Sequence, residues 1–237
     1  MARDKVHRPY FKADGTQVPG VTTLTRIWNS SGEAFTYAAW KLGTEGKDYK
    51  KVWEEKAAIG TLAHAMIMTE LSRVPLRDEY LKDFTPNQVD AAENAALSAF
   101  SWMKGGYNLE EFVLETATIS EMMGFGGTPD FYGKVNGTWT VLDFKTGNEL
   151  YDDMWAQLAG YALSIIESGR PVNQLMLVSA PRAESLDYAV KTLQEWGDME
   201  AIFLSCLQIH QAYKEFKVKK KEARQAIKKA KKEKKNE

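Results

Sequence analysis

The stretch GTPDFYGKVNGTWTVLDFKTG, residues 127–147, decides how this chain is read. Asn136-Gly137 lies between two strand-like runs, FYGKV and TWTVLDFK. Asn-Gly in that setting is a strong hairpin signal, because both central residues of the turn can take positive φ. A two-residue loop sets Val135 opposite Thr138. Counting outward pairs Lys134 with Trp139, Gly133 with Thr140, Tyr132 with Val141, Phe131 with Leu142 and Asp130 with Asp143. Side chains alternate along a strand, so Asp143 and Lys145 share one face, and Leu142 and Phe144 the other, where a core can form. Two aspartates set directly opposite each other repel. A hairpin gains nothing from such a pair, whereas a bound divalent cation, which takes hard carboxylate oxygens, resolves the repulsion. The alternative is an exposed hairpin face on which Lys145 pairs with one aspartate.

The 237-residue chain is 44% hydrophobic, enough for one globular unit of generous size. Its single cysteine, Cys206, excludes a disulfide framework and a four-cysteine metal or iron–sulfur site. The first fifteen residues hold no apolar run of the signal-peptide kind, and no segment reaches the ~18 apolar residues of a membrane span. A cytoplasmic setting without membrane contact is expected. The net charge of −1 conceals an asymmetry: residues 214–237 carry 12 Lys/Arg against 4 Asp/Glu, a net of +8, and the rest of the chain is net −9. A basic tail on an acidic body suggests a polyanion as partner; the plainer reading is a solvated lysine-rich helix.

Along the chain, PYFKADGTQVPG reads as a small hairpin around Asp14-Gly15, and VTTLTRIW opens a helix. Apolar spacing predicts helices over 33–43 and about 48–71. Thr85 and Pro86 mark the N-cap and first position of a helix that ends at Gly105-Gly106. EEFVLETATIS then reads as a strand ahead of the hairpin, 152–167 as a helix, VNQLMLVSA as a buried strand, SLDYAVK as its pairing partner, and about Asp198 onward as a long helix. The expectation is an α/β fold with a mixed central sheet flanked by helices, a helical N-terminal portion over about 21–105, a core over about 106–195, and a basic C-terminal helix. Residues 1–213 form one domain in this reading and 214–237 a helical tail.

Other residues stand out by type and place. His64, in IGTLAHAMIMTEL, is a lone histidine in an apolar helix, either a packed boundary residue or, beside a metal, an imidazole ligand. Glu115, in the strand before the hairpin, is a third carboxylate for the site or an edge-strand charge. Gln157 and Tyr161 stand four apart on one helix face. Arg182 sits at a strand end as a phosphate candidate. No P-loop, GxGxxG, HExxH, CxxC or GxSxG pattern occurs.

Taken in order, GTLAH, GTPD, LDFKT and QLAGY resemble the motifs of the PD-(D/E)xK nuclease superfamily, in its RecB-like branch. The opening VPGVTTLTRIW is similar to that of phage exonucleases and the mitochondrial genome maintenance exonuclease family, with Gly20 in place of a serine. The resemblance spans about 18–195. It implies a restriction-endonuclease-like core and a Mg²⁺- or Mn²⁺-dependent deoxyribonuclease, an exonuclease before an endonuclease, working in phage or cellular DNA recombination, repair or replication. One or two ions would be held by Asp130, Asp143, the Phe144 carbonyl and His64, with Glu115 acting through a water. Lys145 would orient or deprotonate the attacking water, braced by Gln157 and Tyr161. The cysteines that hold an iron–sulfur cluster in some relatives are absent, so no cluster is expected. DNA is the expected partner, with Lys219, Lys220, Lys221, Lys228 and Lys229 as phosphate contacts, alongside a single-strand annealing or single-strand binding protein. The competing class is a catalytically silent DNA-binding or assembly protein on the same fold.

Overall fold

A computed structural model describes residues 9–147 and 149–233; the side chains of Asp78 and of 229–233, Lys229 among them, lie outside the described residues, as do residues 1–8 and the end of the tail. In chain order the elements are β1 (Tyr10–Phe11), β2 (Gln17–Val18), α1 (Val21–Thr25), α2 (Gly32–Thr44), α3 (Tyr49–Ser72), α4 (Asp78–Leu81), α5 (Pro86–Lys104), β3 (Leu109–Leu114), β4 (Thr118–Ser120), β5 (Phe125–Gly127), β6 (Phe131–Val135), β7 (Thr138–Lys145), α6 (Asp152–Glu167), β8 (Gln174–Ser179), β9 (Ala189–Leu193) and α7 (Gly197–Glu233).

The mixed α/β fold expected from the sequence is observed. Five strands form the central sheet in the order β3-β6-β7-β8-β9. All neighbours are antiparallel except β7 and β8, which run parallel through the crossover helix α6. The Asn136-Gly137 turn has φ of 50° and 80°, and the five pairs from Val135–Thr138 to Phe131–Leu142 fall where counting placed them. Thr85 and Gln88 form a capping box with Pro86 behind the cap, which is why α5 starts there.

Strand alternation divides the core. Leu142, Phe144, Met176 and Val178 point to one face, where Ile67 and Met68 of α3 and Ala96, Ala99 and Trp102 of α5 cover them. Val141, Leu175 and Leu177 point to the other face, under Leu158, Ala159, Ala162 and Ile165 of α6 and Phe203 and Leu207 of α7. Phe144 is fully buried, with Trp102 edge-on at 5.7 Å. Burying such a ring contributes about 1.5–3 kcal/mol. It also fixes the parity of β7, so Asp143 and Lys145 must face α6.

Two details differ from the sequence reading. β3 stops at Leu114, because Glu115 takes φ of 42°, outside the extended region. Glu115 is therefore not in a strand, and the following Thr118–Ser120 pairs with Phe125–Gly127 in a separate two-stranded sheet. The return strand is Ala189–Leu193, a few residues later than SLDYAVK. The long helix expected from about Asp198 is α7, which runs on through the basic stretch; among the described residues its last buried side chain is Leu207.

Candidate nuclease site

The hairpin ladder ends one step short of the two aspartates. Another step would place Asp130 opposite Asp143, and one more would place Pro129 opposite Phe144. Proline has no N–H, so it cannot continue the ladder. Asp130 instead turns its side chain across the strand end, and its Oδ2 accepts the Phe144 N–H at 2.8 Å. Position 129 has no donor to give the Phe144 carbonyl. The aspartates are thus neighbours through their side chains and not ladder partners.

His64 comes from α3. Its Nδ1 stands 3.4 Å from Asp130 Oδ2, so helix and strand end meet at one carboxylate. On the α6 side, Lys145 forms an ion pair with Asp143 Oδ2 and donates to Gln157 Oε1 at 3.2 Å. Gln157 Nε2 in turn donates to the Tyr161 hydroxyl at 2.7 Å. Of the residues singled out in the sequence, His64, Asp130, Asp143, Phe144, Lys145, Gln157 and Tyr161 therefore converge on the C-terminal end of β7. Glu115 is exposed and approaches only through its backbone, its N–H donating to the Asp130 carbonyl at 3.1 Å.

Burial sets the electrostatics. It drives Asp143 above the ordinary carboxylate range, and the negative charge of Asp130 adds to that, against the pull of Lys145. Burial acts on Asp130 in the same sense, but His64, the Phe144 N–H and Lys145 together outweigh it and hold Asp130 below the ordinary value. Burial disfavours the Lys145 ammonium, yet Asp143, Asp130 and Asp153 more than restore it, so Lys145 is positively charged at neutral pH. The Tyr161 hydroxyl is pushed far up, first by burial and then by Asp143, so it stays protonated.

One neighbour carries no sequence signal of its own: Thr22, at the start of α1, lies close enough to the Tyr161 hydroxyl to act on its proton. Arg182 Nη2 donates to the Thr146 hydroxyl and to the Lys56 carbonyl, both at 2.9 Å, and so ties α3 to the end of β7; its Nε is buried without a partner. Gly60 leaves the room for this latch, since a Cβ there would lie 3.1 Å from Thr146 Oγ1. Lys219, Lys220, Lys221 and Lys228 stand on the exposed stretch of α7.

No protein-family model matches this chain, and no curated protein matches it. Solved structures match in part. The crystal structure of SSO0001 shares 12% identity over 63% of this chain and 85% of its own, with a TM-score of 0.32. An alkaline exonuclease from Laribacter hongkongensis shares 16% over 65% of this chain and 81% of its own, at 0.27. The same enzyme in complex with dAMP shares 16% over 72% and 98%, at 0.28. The overlap is loose at these scores, so the site is read from its own side chains.

The donor set fits a hard divalent ion of the Mg²⁺ kind. Among the described residues no three His, Cys, Asp or Glu side chains are gathered into a cage for a metal. A buried and a half-buried carboxylate beside an unladdered carbonyl are what is present, and Mg²⁺ is commonly held by one or two carboxylates while keeping several waters. Cysteine-rich chemistry has no donors here, since Cys206 is the chain's one thiol.

Proposed function

We propose that the protein is a Mg²⁺- or Mn²⁺-dependent deoxyribonuclease, an exonuclease before an endonuclease, serving DNA recombination, repair or replication in a phage or a cell. The observation that supports it is buried Asp143 beside half-buried Asp130, with Lys145 held by Asp143 and Gln157. Two carboxylates, an imidazole and a fixed ammonium meet here, and the two carboxylates share one site, where Asp130 acts against the charge of Asp143. A hard divalent cation takes such oxygens.

Asp130, Asp143 and the Phe144 carbonyl would hold the ion, with His64 as a nitrogen ligand; Glu115, whose side chain is exposed, supports Asp130 through its backbone N–H. Such an ion polarises a phosphoryl oxygen and makes a bound water more acidic. The remaining work belongs to the chain. The Lys145 ammonium is charged at neutral pH, which suits it to stabilising negative charge on the scissile phosphate and to orienting a water by donation. Gln157 fixes that ammonium from behind, and Tyr161 fixes the Gln157 amide. His64 and the Phe144 N–H fix the Asp130 carboxylate. Arg182, engaged with Thr146 and Lys56, positions α3 against β7.

Cleavage of end-labelled single- and double-stranded DNA in Mg²⁺, in Mn²⁺ and in EDTA tests this reading. Metal-dependent degradation lost in Asp143→Ala is expected, and the product ladder gives the polarity. Retention of DNA binding without cleavage by the parent protein on any substrate would replace it with the binding-module reading.

A further inference from the structure

We infer that the projecting half of α7 is a binding platform for single-stranded nucleic acid, with Tyr213 and Phe216 as stacking surfaces and the surrounding lysines as phosphate contacts. The inference rests on the proposed nuclease reading for its choice of polyanion, and goes beyond it in assigning a second surface and a mode of binding.

Among the described residues, the last hydrogen bond from this part of α7 to the body is donated by Gln211 Nε2 to the Met123 carbonyl, and from Gln211 to Lys228 each residue is exposed. From Ile209 onward, Ile209, Tyr213, Phe216, Lys220 and Ile227 recur at helical spacing, and so share one face. Tyr213 and Phe216 are each 56% exposed. Their rings are within 17° of parallel with centroids 6.5 Å apart. That separation is close to twice the ~3.4 Å rise of a stacked strand. Lys217 stands 4.3 Å over the Tyr213 ring and Lys220 stands 5.7 Å over Phe216. A base that took the ring face would turn each ammonium toward a phosphate. Aromatic faces interleaved with cations, on a helix of strong positive charge, are what sequence-tolerant single-strand binding uses.

Other occupants fit less well. A second copy laid along this face would bring its own lysines at 217, 219 and 220 against the same residues, and like charges repel. A membrane surface needs a broad apolar face, and beyond Phe216 this one offers Ile227 as its single large apolar side chain. A nucleic-acid strand matches both the sign of the charge and the flat rings, and the acidic remainder of the chain leaves the tail as the region that attracts it.

The test is fluorescence anisotropy of labelled oligo-dT with the full chain in EDTA, which stops metal-dependent cleavage, across a salt series. Tyr213→Leu/Phe216→Leu keeps an apolar helix face but removes the rings; affinity should fall about tenfold or more with an unchanged salt slope. Tyr213→Phe should bind as the parent does, and Lys217→Gln/Lys220→Gln should lower the salt slope by about one for each lysine removed. Circular dichroism of each variant should match the parent, since these side chains are exposed. Unchanged affinity of the Leu variant would overturn the inference, as would equal losses for single strand and duplex. So would transfer of the chain to anionic vesicles without oligo-dT binding, or a concentration-dependent dimer abolished by the Leu variant. Cleavage in Mg²⁺ is scored separately: a parent that binds oligo-dT through its rings but never cuts would sink the nuclease reading and leave this surface standing.

Discussion

Asp143 is the residue on which the site turns, because burial and Asp130 both act against its charge while Lys145 supports it. Its carboxyl titrates above the ordinary value of about 3.9. The sign follows from linkage: a raised folded pKa favours the folded state at low pH, and that contribution is lost as pH rises through the folded value. Asp130 behaves oppositely. Its depressed pKa contributes stability above the ordinary carboxylate value, lost as pH falls through the lower folded one. Asp130→Asn removes the like charge, so carboxyl-carbon NMR should show the Asp143 titration move to lower pH; an unchanged midpoint would mean the two do not interact. Lys145→Ala leaves the buried Asp143 carboxylate without its paired cation and with Asp130 still acting against its charge. A loss of about 3 kcal/mol in urea unfolding without divalent ions is expected, and a parent-like midpoint would show that Lys145 is not part of a buried pair.

At the scale of elements, the glycine of GTPD has a packing reason. A Cβ on Gly127 would lie 2.4 Å from the Tyr161 ring, so β5 must be bare where α6 passes. Gly127→Ala should cost about 1–3 kcal/mol through displacement of that ring, and cleavage should fall with it, because Gln157 loses its brace. Thermal unfolding and cleavage rate together check this; a stable, fully active variant would contradict it. That contact also marks where sequence reading stopped. The hairpin register followed from Asn136-Gly137 and a period of two, and the pairing of Gln157 with Tyr161 from a period of four. Both are local rules. The end of the ladder at Asp130 was not counted, although Pro129 was visible as a residue without an N–H. The break at Glu115 depends on a single backbone angle, and the approach of Thr22 and Arg182 to the site depends on how distant helices pack. None of these leaves a periodic trace.

The whole molecule separates an acidic body, which builds the site at the end of β7, from a basic rod that continues α7 away from the core. No helix among the described residues is long and apolar enough to cross a membrane. Because the rod contributes no buried side chain beyond Leu207 among the described residues, truncation after Ala212 should leave the thermal midpoint of the body unchanged. It should weaken DNA binding at low salt and flatten the salt dependence, since fewer counterions are released. Equal affinity of truncated and full chains across the titration would show that the rod takes no part in binding.

The central claim is that Asp130 and Asp143 are paired in order to hold a divalent cation. Calorimetric titration of Mn²⁺ into the parent protein, Asp130→Asn and Asp143→Asn tests it most directly. The parent should bind with defined stoichiometry and each variant should lose at least tenfold in affinity. Equal Mn²⁺ binding by all three, or none by the parent, would contradict the account and leave the two carboxylates as a buried ion-pair cluster around Lys145.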